Sequence, residues 1–493
     1  MTSSPAPDPR LLAPGRRAVT IGIVLGISAV GFEALGVSTA MPVVARSLHG
    51  ESLYGWAFSA FLLGQLIGIV SSGADADAHG PKRAYLLALG LFAGGLLVCG
   101  LSQSMPILVV GRFIAGTGSG AVLLLNWALI ARLYDEAVRA RMLAVASSAW
   151  IVPGLVGPIA AGWVADHIGW RVVFFAYVPL LALVGVLLLP AIHLPGTDQS
   201  AVEPTGERFW DVGRAQRNVA ALVMAAGAGL VLGGLDSQRL WLVAVLVVVG
   251  LALMAVAGPS LFPSGTLVAA TGLPAVVATY ALLLTAFTGA EVFLPFVLGR
   301  LHGLSATTSG LILTAGTSTW ATGSWLQARH PDRWADPHAR RWAVLVFGIG
   351  VALAGTLAFD VPAVIGYLGW GVCGIGMGIA FTSATDATFR VVSAERTGIA
   401  SSATQLAGAL GSALVAGVNG ALINIADRTG RGPATGVRWA FALDLVVVVL
   451  AFGASARLRV PRSAGADTSR PVEGSAAPSG QRLRSSDAQR VEP

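Results

Sequence analysis

A single carboxylate, Glu33, stands in the otherwise uncharged apolar run "ISAVGFEALGVSTAMPVV" (Ile27–Val44). Two more ionisable groups stand in similar surroundings, Arg112 in "LVVGRFIAGTGSGA" (Leu108–Ala121) and Glu291 in "AEVFLPFVLG" (Ala290–Gly299). Charge in an apolar medium is costly, so such residues are rarely passive. The chemistry open to them is proton exchange. A carboxylate removed from water favours its neutral form, and a guanidinium brought beside it favours the charged form. Movement of Arg112 relative to Glu33 would therefore load or release a proton. Other roles stay open: Arg112 could snorkel to an interface along its aliphatic stem, and Glu291 could meet a cationic substrate or serve as a satisfied polar group.

The runs around these groups show what must position them. Of 493 residues, 55% are hydrophobic and 12% charged, against about 25% charged in a soluble domain. Apolar runs recur from Arg17 to Arg457, each near the ~20 residues that cross a bilayer. The expected fold class is all-α, a polytopic membrane protein of about fourteen spans: two six-helix bundles plus two inserted helices. The chain divides into an N-terminal tail (1–16), a first bundle (17–190), a polar linker with two inserted spans (191–265), a second bundle (266–457) and a C-terminal tail (458–493). The tails, rich in Pro, Ser, Ala and Arg, read as disordered. The fifth span is expected at about 142–165, the tenth at about 307–327, and the seventh, at about 217–235, is the weakest because it is short and Gly/Ala-rich.

With both termini cytoplasmic, about 24 basic residues fall in inner segments and about 7 in outer ones, as the positive-inside rule asks. The loop "DRTGRGPATGVR" (Asp427–Arg438) is the exception. In this frame Glu33 lies roughly 15 Å, Glu291 roughly 12 Å and Arg112 roughly 10 Å from the outer ends of their helices. Glu33 is followed by "SLHG" and Glu291 by "RLHG". Such an internal echo is typical of secondary transporters, whose substrate site lies between two repeats.

Three stretches carry further structure. In "GADADAHGPKR" (Gly73–Arg83), Gly80 suits a positive-φ reversal, Asp77 could meet a helix N-terminus, and Lys82 and Arg83 would anchor the inner face; an ordinary solvated loop is the plainer reading. In the stretch containing Arg112, glycines 116, 118 and 120 thin the helix for close packing. In "VPGLVGPIAAG" (Val152–Gly162), Pro158 favours a bend while Gly154, Gly157, Ala161 and Gly162 make a small-residue face.

In this order and spacing the stretches resemble the major facilitator superfamily, and within it the fourteen-helix drug:proton antiporters. Gly73, Asp77, Gly80, Lys82 and Arg83 match its "G-x-x-x-D-x-x-G-x-K-R" motif, Arg112, Gly116 and Gly118 its "R-x-x-x-G-x-G", and Gly154, Gly157, Pro158 and Gly162 the antiporter motif "G-x-x-G-P-x-x-x-G". Glu33 and Pro42 resemble the first-helix "D-x-T-I-V-N-V-A-L-P", with glutamate for aspartate. Two positions depart from the pattern: Ala115 replaces a glutamine, and Gln327 in "GSWLQARHPDRW" (Gly323–Trp334) replaces an aspartate. The resemblance, over about 17–457, implies alternating access around a central cavity. It further implies a conformational latch at Gly73–Arg83 and proton-coupled efflux of hydrophobic or amphipathic compounds, multidrug-type, in the cell membrane.

Other classes fare worse. No nucleophile–base pair, metal-spaced His cluster or Cys/His site points to an enzyme, a cofactor or a metal. The sole lysine, Lys82, follows "HGP" and cannot belong to a Walker A loop. Basic residues sit in short gaps between spans, so the net charge of +7 does not signal nucleic acid. Cys99 and Cys373 read as small hydrophobes. Export of a lipid or secondary metabolite, or proton-coupled uptake, are the alternatives. Expected partners are the substrate, protons and the lipid bilayer, with the chain acting as a monomer. Gln65, Asn126, Gln405 and Asn419 are candidate polar groups of the cavity, with interhelical hydrogen bonding as their plainer role, and Asp444 reads as structural.

Overall fold

The computed structural model describes residue 11 and residues 16–134, 136–190, 213–392 and 397–458. The polar linker and most of both tails lie outside these residues. Among the described residues the regular structure is helical: α1 (Arg17–Ser47), α2 (Tyr54–His79), α3 (Pro81–Leu101), α4 (Met105–Leu133), α5 (Glu136–Ser148), α6 (Ile151–His167), α7 (Trp170–Leu188), α8 (Arg214–Leu235), α9 (Leu240–Leu261), α10 (Leu273–Arg300), α11 (Ala306–Arg329), α12 (Pro331–Ala335), α13 (Pro337–Gly355), α14 (Ala363–Val391), α15 (Thr397–Arg428) and α16 (Pro433–Ala456). A membrane leaves an unpaired backbone no water to bond, which is why long apolar runs become helices.

Among the described residues, thirteen helices or helix pairs are long and apolar enough to cross a membrane. The weak seventh run is one of them, as Gln216–Leu235. The shortfall from fourteen falls instead on the tenth run. It forms the 24-residue helix α11, but Thr and Ser make it too polar to count. Its hydroxyls bond back to carbonyls one turn earlier, as in Thr317 to Leu313 O at 3.0 Å and Ser318 to Thr314 O at 2.7 Å. Packed against α6, α10 and α14, it does not need a lipid-facing composition.

The fifth run is long and apolar enough to cross a membrane where expected, over Arg141–His167, but it is not one continuous helix. It is two helices, α5 and α6, broken at Ala149–Trp150, while Pro158 sits inside an unbroken α6. Pro153 accounts for the break: it lacks the N–H that would bond Ala149 O, and its ring crowds that carbonyl. The freed Ala149 oxygen accepts instead from Ser28 Oγ of α1 at 2.9 Å.

Small residues set the crossings. A Cβ at Gly116 or Gly120 would strike the carbonyls of Phe61 and Gln65 on α2, and one at Gly118 would strike Phe92 on α3. Helix α4 is thus clamped between α2 and α3. The pattern recurs in the second bundle, where Gly374 and Gly378 meet Gly316 and Trp320 of α11, and Gly376 meets Phe347 of α13. In this register Trp370 stands where Arg112 stands in the first bundle. Aligning "LHG" at Leu48–Gly50 with Leu301–Gly303 places Gly36 on Gly289 but Glu33 on Ala286. Glu291 is therefore not the repeat equivalent of Glu33.

The two bundles meet at the end bearing the α1–α2 turn. Tyr54 Oη donates to Val292 O at 2.9 Å and its ring lies among Phe293 and Phe296. Ser59 Oγ donates to Ala413 O at 2.7 Å, and Gly55 abuts Gly420. The inserted α8 packs on α2 and α15. Asp236, just past its end, accepts from Trp56 Nε1 of α2 at 2.8 Å and from Asn424 Nδ2 of α15 at 3.1 Å, with Arg428 Nη2 at 3.6 Å.

Candidate functional site

Glu33 and Arg112 form a buried ion pair, Arg112 Nη1 donating to Glu33 Oε1. Glu33 is 0% exposed and Arg112 2%. Arg112 does not snorkel. Its Nε donates to Ala57 O at 3.1 Å, and its guanidinium lies 4.1 Å from the Phe61 ring centroid. The clamp on α4 makes this possible: Gly116 sits against Phe61, one turn along from Arg112, so the guanidinium emerges between α2 and α1. Glu33 Oε2 has no hydrogen-bond partner among the described residues. Behind the pair, Tyr177 Oη of α7 donates to Phe32 O at 2.9 Å, fixing the α1 turn that carries Glu33.

Glu291 does not join this pair. It is half-exposed on α10, and no hydrogen bond or ion pair reaches its carboxylate among the described residues. Asp444, fully buried on α16, is met by Asn419 Nδ2 of α15 at 3.1 and 3.3 Å; the same amide donates to Gly289 O at 3.2 Å. This cluster ties three helices of the second bundle together. Asn126 is likewise fully buried, accepting from Tyr85 Oη at 2.9 Å. Gln65 Nε2 lies 3.4 Å from Ser119 Oγ and Gln405 Nε2 3.3 Å from Ser401 Oγ, both side chains half-buried.

At the opposite end, α2 and α3 join at Gly80, whose φ of 87° favours glycine. Gly73 and Asp77 lie on α2 and Lys82 and Arg83 on α3; the Asp77 side chain lies outside the described residues. Asp75, which sequence reasoning passed over, accepts from or pairs with His79 Nδ1 at 2.8 Å and Arg83 Nη2 at 3.9 Å.

The glycines of α6 serve the seam with α11. A Cβ at Gly154 would strike Thr317, and one at Gly162 the backbone of Ala306 and Thr307. Gly157 instead faces Phe32 of α1, and the Pro158 carbonyl faces Gly310. Asp166 closes this seam, accepting from Ala306 N at 3.1 Å, Thr307 N at 2.8 Å and Thr307 Oγ1 at 2.6 Å. An acid from one bundle thus caps a helix of the other, where the positive end of the helix dipole favours it. The one sequence signal was an acid four residues beyond the glycine motif.

The second bundle has rings where the first has charges. Phe287 stacks on Trp370 with centroids 4.9 Å apart and meets Trp320 edge-on at 4.9 Å. Phe381 lies 5.4 Å from Trp320 and 4.7 Å from Tyr280. Spacing along the chain gave no hint of this cluster, since its members come from α10, α11 and α14.

Residues 21–416 match the family model of the Major Facilitator Superfamily, and the chain belongs to that superfamily. It is 28% identical over 437 residues to a probable multidrug-efflux transporter of Mycobacterium tuberculosis, covering 86% of this chain and 91% of the relative. An uncharacterized MFS-type transporter of the same organism is 27% identical over 384 residues, 70% of this chain; the match spans only 54% of that longer protein. A crystal structure of a D-xylose-proton symporter superposes with a TM-score of 0.62 at 16% identity, covering 88% of this chain and 96% of the other. That likeness is one of fold.

Proposed function

We propose that this transporter exports hydrophobic or amphipathic compounds in exchange for protons, as a multidrug-type antiporter of the cell membrane. The observation that carries the reading is the buried Glu33–Arg112 pair. A carboxylate with one oxygen paired and one unpartnered is a group whose charge depends on the position of a single guanidinium. Glu33 takes up a proton when Arg112 withdraws and releases it when Arg112 returns. Arg112 rides on α4, clamped to α2 and α3, while Glu33 rides on α1, so sliding of α1 against α4 is the motion that switches the site.

The likeness to a multidrug-efflux relative supports a drug-like cargo, and the glycine-lined α6–α11 seam supports a bundle interface that opens and closes as a unit. The Gly73–Arg83 segment serves as the latch of the opposite end, with Asp77 as its carboxylate and Asp75 holding Arg83. Fourteen crossings, α11 among them, complete the arrangement, with both termini cytoplasmic.

The test is transport in proteoliposomes with an imposed pH gradient. Glu33→Gln keeps the size of the side chain and an acceptor oxygen for Arg112 but cannot cycle a proton. It should still bind substrate and exchange it downhill while uphill accumulation falls at least tenfold. Retention of uphill accumulation in Glu33→Gln would falsify the coupling role. Accumulation of substrate on the acidic side assigns antiport, and accumulation on the other side assigns symport.

A further inference from the structure

We propose that one corner of the second bundle, where α13, α16 and the loop between α9 and α10 meet, is a docking site for an anionic phospholipid. Side chain to backbone bonds bring these elements together. Arg340 of α13 donates from Nη2 to Leu458 O, just beyond α16, and Arg457 donates from Nη1 to Val268 O of the loop. The Arg341 guanidinium lies 4.3 Å from the ring centroid of Phe452 on α16. Three guanidinium groups therefore gather at this corner, and none of them forms an ion pair with a carboxylate among the described residues. Asp336, the acid that bears on Arg340, has its Oδ2 taken by the His338 and Ala339 amides, both at 3.0 Å. Arg340 is 3% exposed, yet its Nε has no hydrogen-bond partner among the described residues, and neither has Arg341 Nε. The corner carries more positive charge and more donors than its own acceptors use. A phosphate oxygen is an acceptor that guanidinium groups favour.

The apolar half of a lipid has a place beside these groups. Leu267 is fully exposed, and Val268 and Trp342 are largely so. A strained turn holds the first two out. Gly265 and Ala269 flank Thr266–Val268 at φ 84° and 47°, and the second value is costly for a residue with a Cβ. Arg457 steadies that turn through Val268 O. Arginine beside exposed leucine and tryptophan is the pattern of a membrane interface, where phosphate and acyl chain meet. A free phosphate would use the arginines and leave Leu267 and Trp342 without a role, so the corner fits a lipid better than a soluble anion. With the C-terminus cytoplasmic, the corner lies in the inner leaflet, where anionic headgroups attract basic residues; that placement rests on the topology proposed above. A lipid seated here ties the exit of the inserted pair to α13 and α16, and it stabilises the folded transporter by mass action.

Native mass spectrometry of the purified full-length protein tests this. The probes are dioleoyl phosphatidylglycerol as the anionic lipid, dioleoyl phosphatidylcholine as a zwitterionic lipid with the same chains, and inorganic phosphate as the free anion. The wild-type protein should bind the anionic lipid about tenfold tighter than the zwitterionic one; equal affinities overturn the proposal without any variant. An excess of inorganic phosphate should leave the lipid bound, and its displacement assigns the corner to a free anion and overturns the lipid site. Arg341→Gln/Arg457→Gln should weaken the anionic lipid about tenfold and leave the zwitterionic lipid within about twofold. Leu267→Ser should weaken both lipids. Arg141→Gln removes an exposed arginine of α5, in the first bundle, and should change neither. Unchanged anionic-lipid binding in the double variant, unchanged binding of both lipids in Leu267→Ser, or an equal loss in Arg141→Gln overturns the site. Reporter fusions decide the leaflet, so failure of the topology and failure of the site fall on different measurements.

Discussion

Arg112 makes three contacts at once: a carboxylate, a carbonyl and a ring face. Lysine could not reproduce this planar fork. Removing one member of a buried ion pair leaves the other uncompensated, which costs on the order of 3–5 kcal/mol. Arg112→Met should therefore lower the melting temperature in detergent far more than the double variant Glu33→Gln/Arg112→Met, in which neither charge remains. If the single and double variants melt together, the two residues are not energetically coupled. Asp444 faces a neutral amide rather than a cation, and the same logic expects it to tolerate neutralisation. Asp444→Asn should fold and keep uphill transport within about twofold, a cost below ~0.5 kcal/mol. A loss comparable to that of Glu33→Gln would give Asp444 a place in the proton path.

Among the elements, α8 and α9 have no counterpart in either six-helix bundle, yet Asp236 beyond α8 binds α2 and α15 together. These helices belong to different bundles and meet at the closed end. Their hold on Asp236 exists only while that end is shut. Asp236→Ala leaves Trp56 Nε1 and Asn424 Nδ2 without this acceptor, so the closed state should lose population to the state open at that end. Spin labels on Leu53 and Asp427 should report a longer distance in a larger share of molecules. An unchanged distance distribution would confine the inserted pair to a role outside gating.

At the scale of the whole molecule, topology is the question with the widest consequences. If α11 crosses the membrane, reporters fused after His302 and after Asp336 report opposite sides. Both termini then share a side, and fusions at Ser200 and at the C-terminus report the cytoplasm with Asp336. A reporter after Asp336 on the same side as His302 would remove α11 as a span and require the second bundle to be redrawn. Hydropathy alone left this undecided because α11 is shielded by α6, α10 and α14, and a shielded helix can be polar.

Glu33, Arg112 and Glu291 were all conspicuous in the sequence, because charge in a long apolar run contrasts with its immediate neighbours. The spans were legible for the same reason: a bilayer reads composition over about 20 residues, a local property. Which charges meet was not legible. The Glu33–Arg112 pair depends on α1, α2 and α4 crossing where Gly116 and Gly120 admit the α2 backbone, and that register is a property of three helices together. For Asn126 the sequence left a cavity role and an interhelical hydrogen bond both open, and its partner, Tyr85 of α3, became visible only in the packed helices. Asp166 and Asp236 drew no notice in the sequence, and each links elements far apart in the chain. The sequence determined where charge and apolar length lie; helix packing decided which charges neutralise one another and which, like Glu291, have no partner among the described residues.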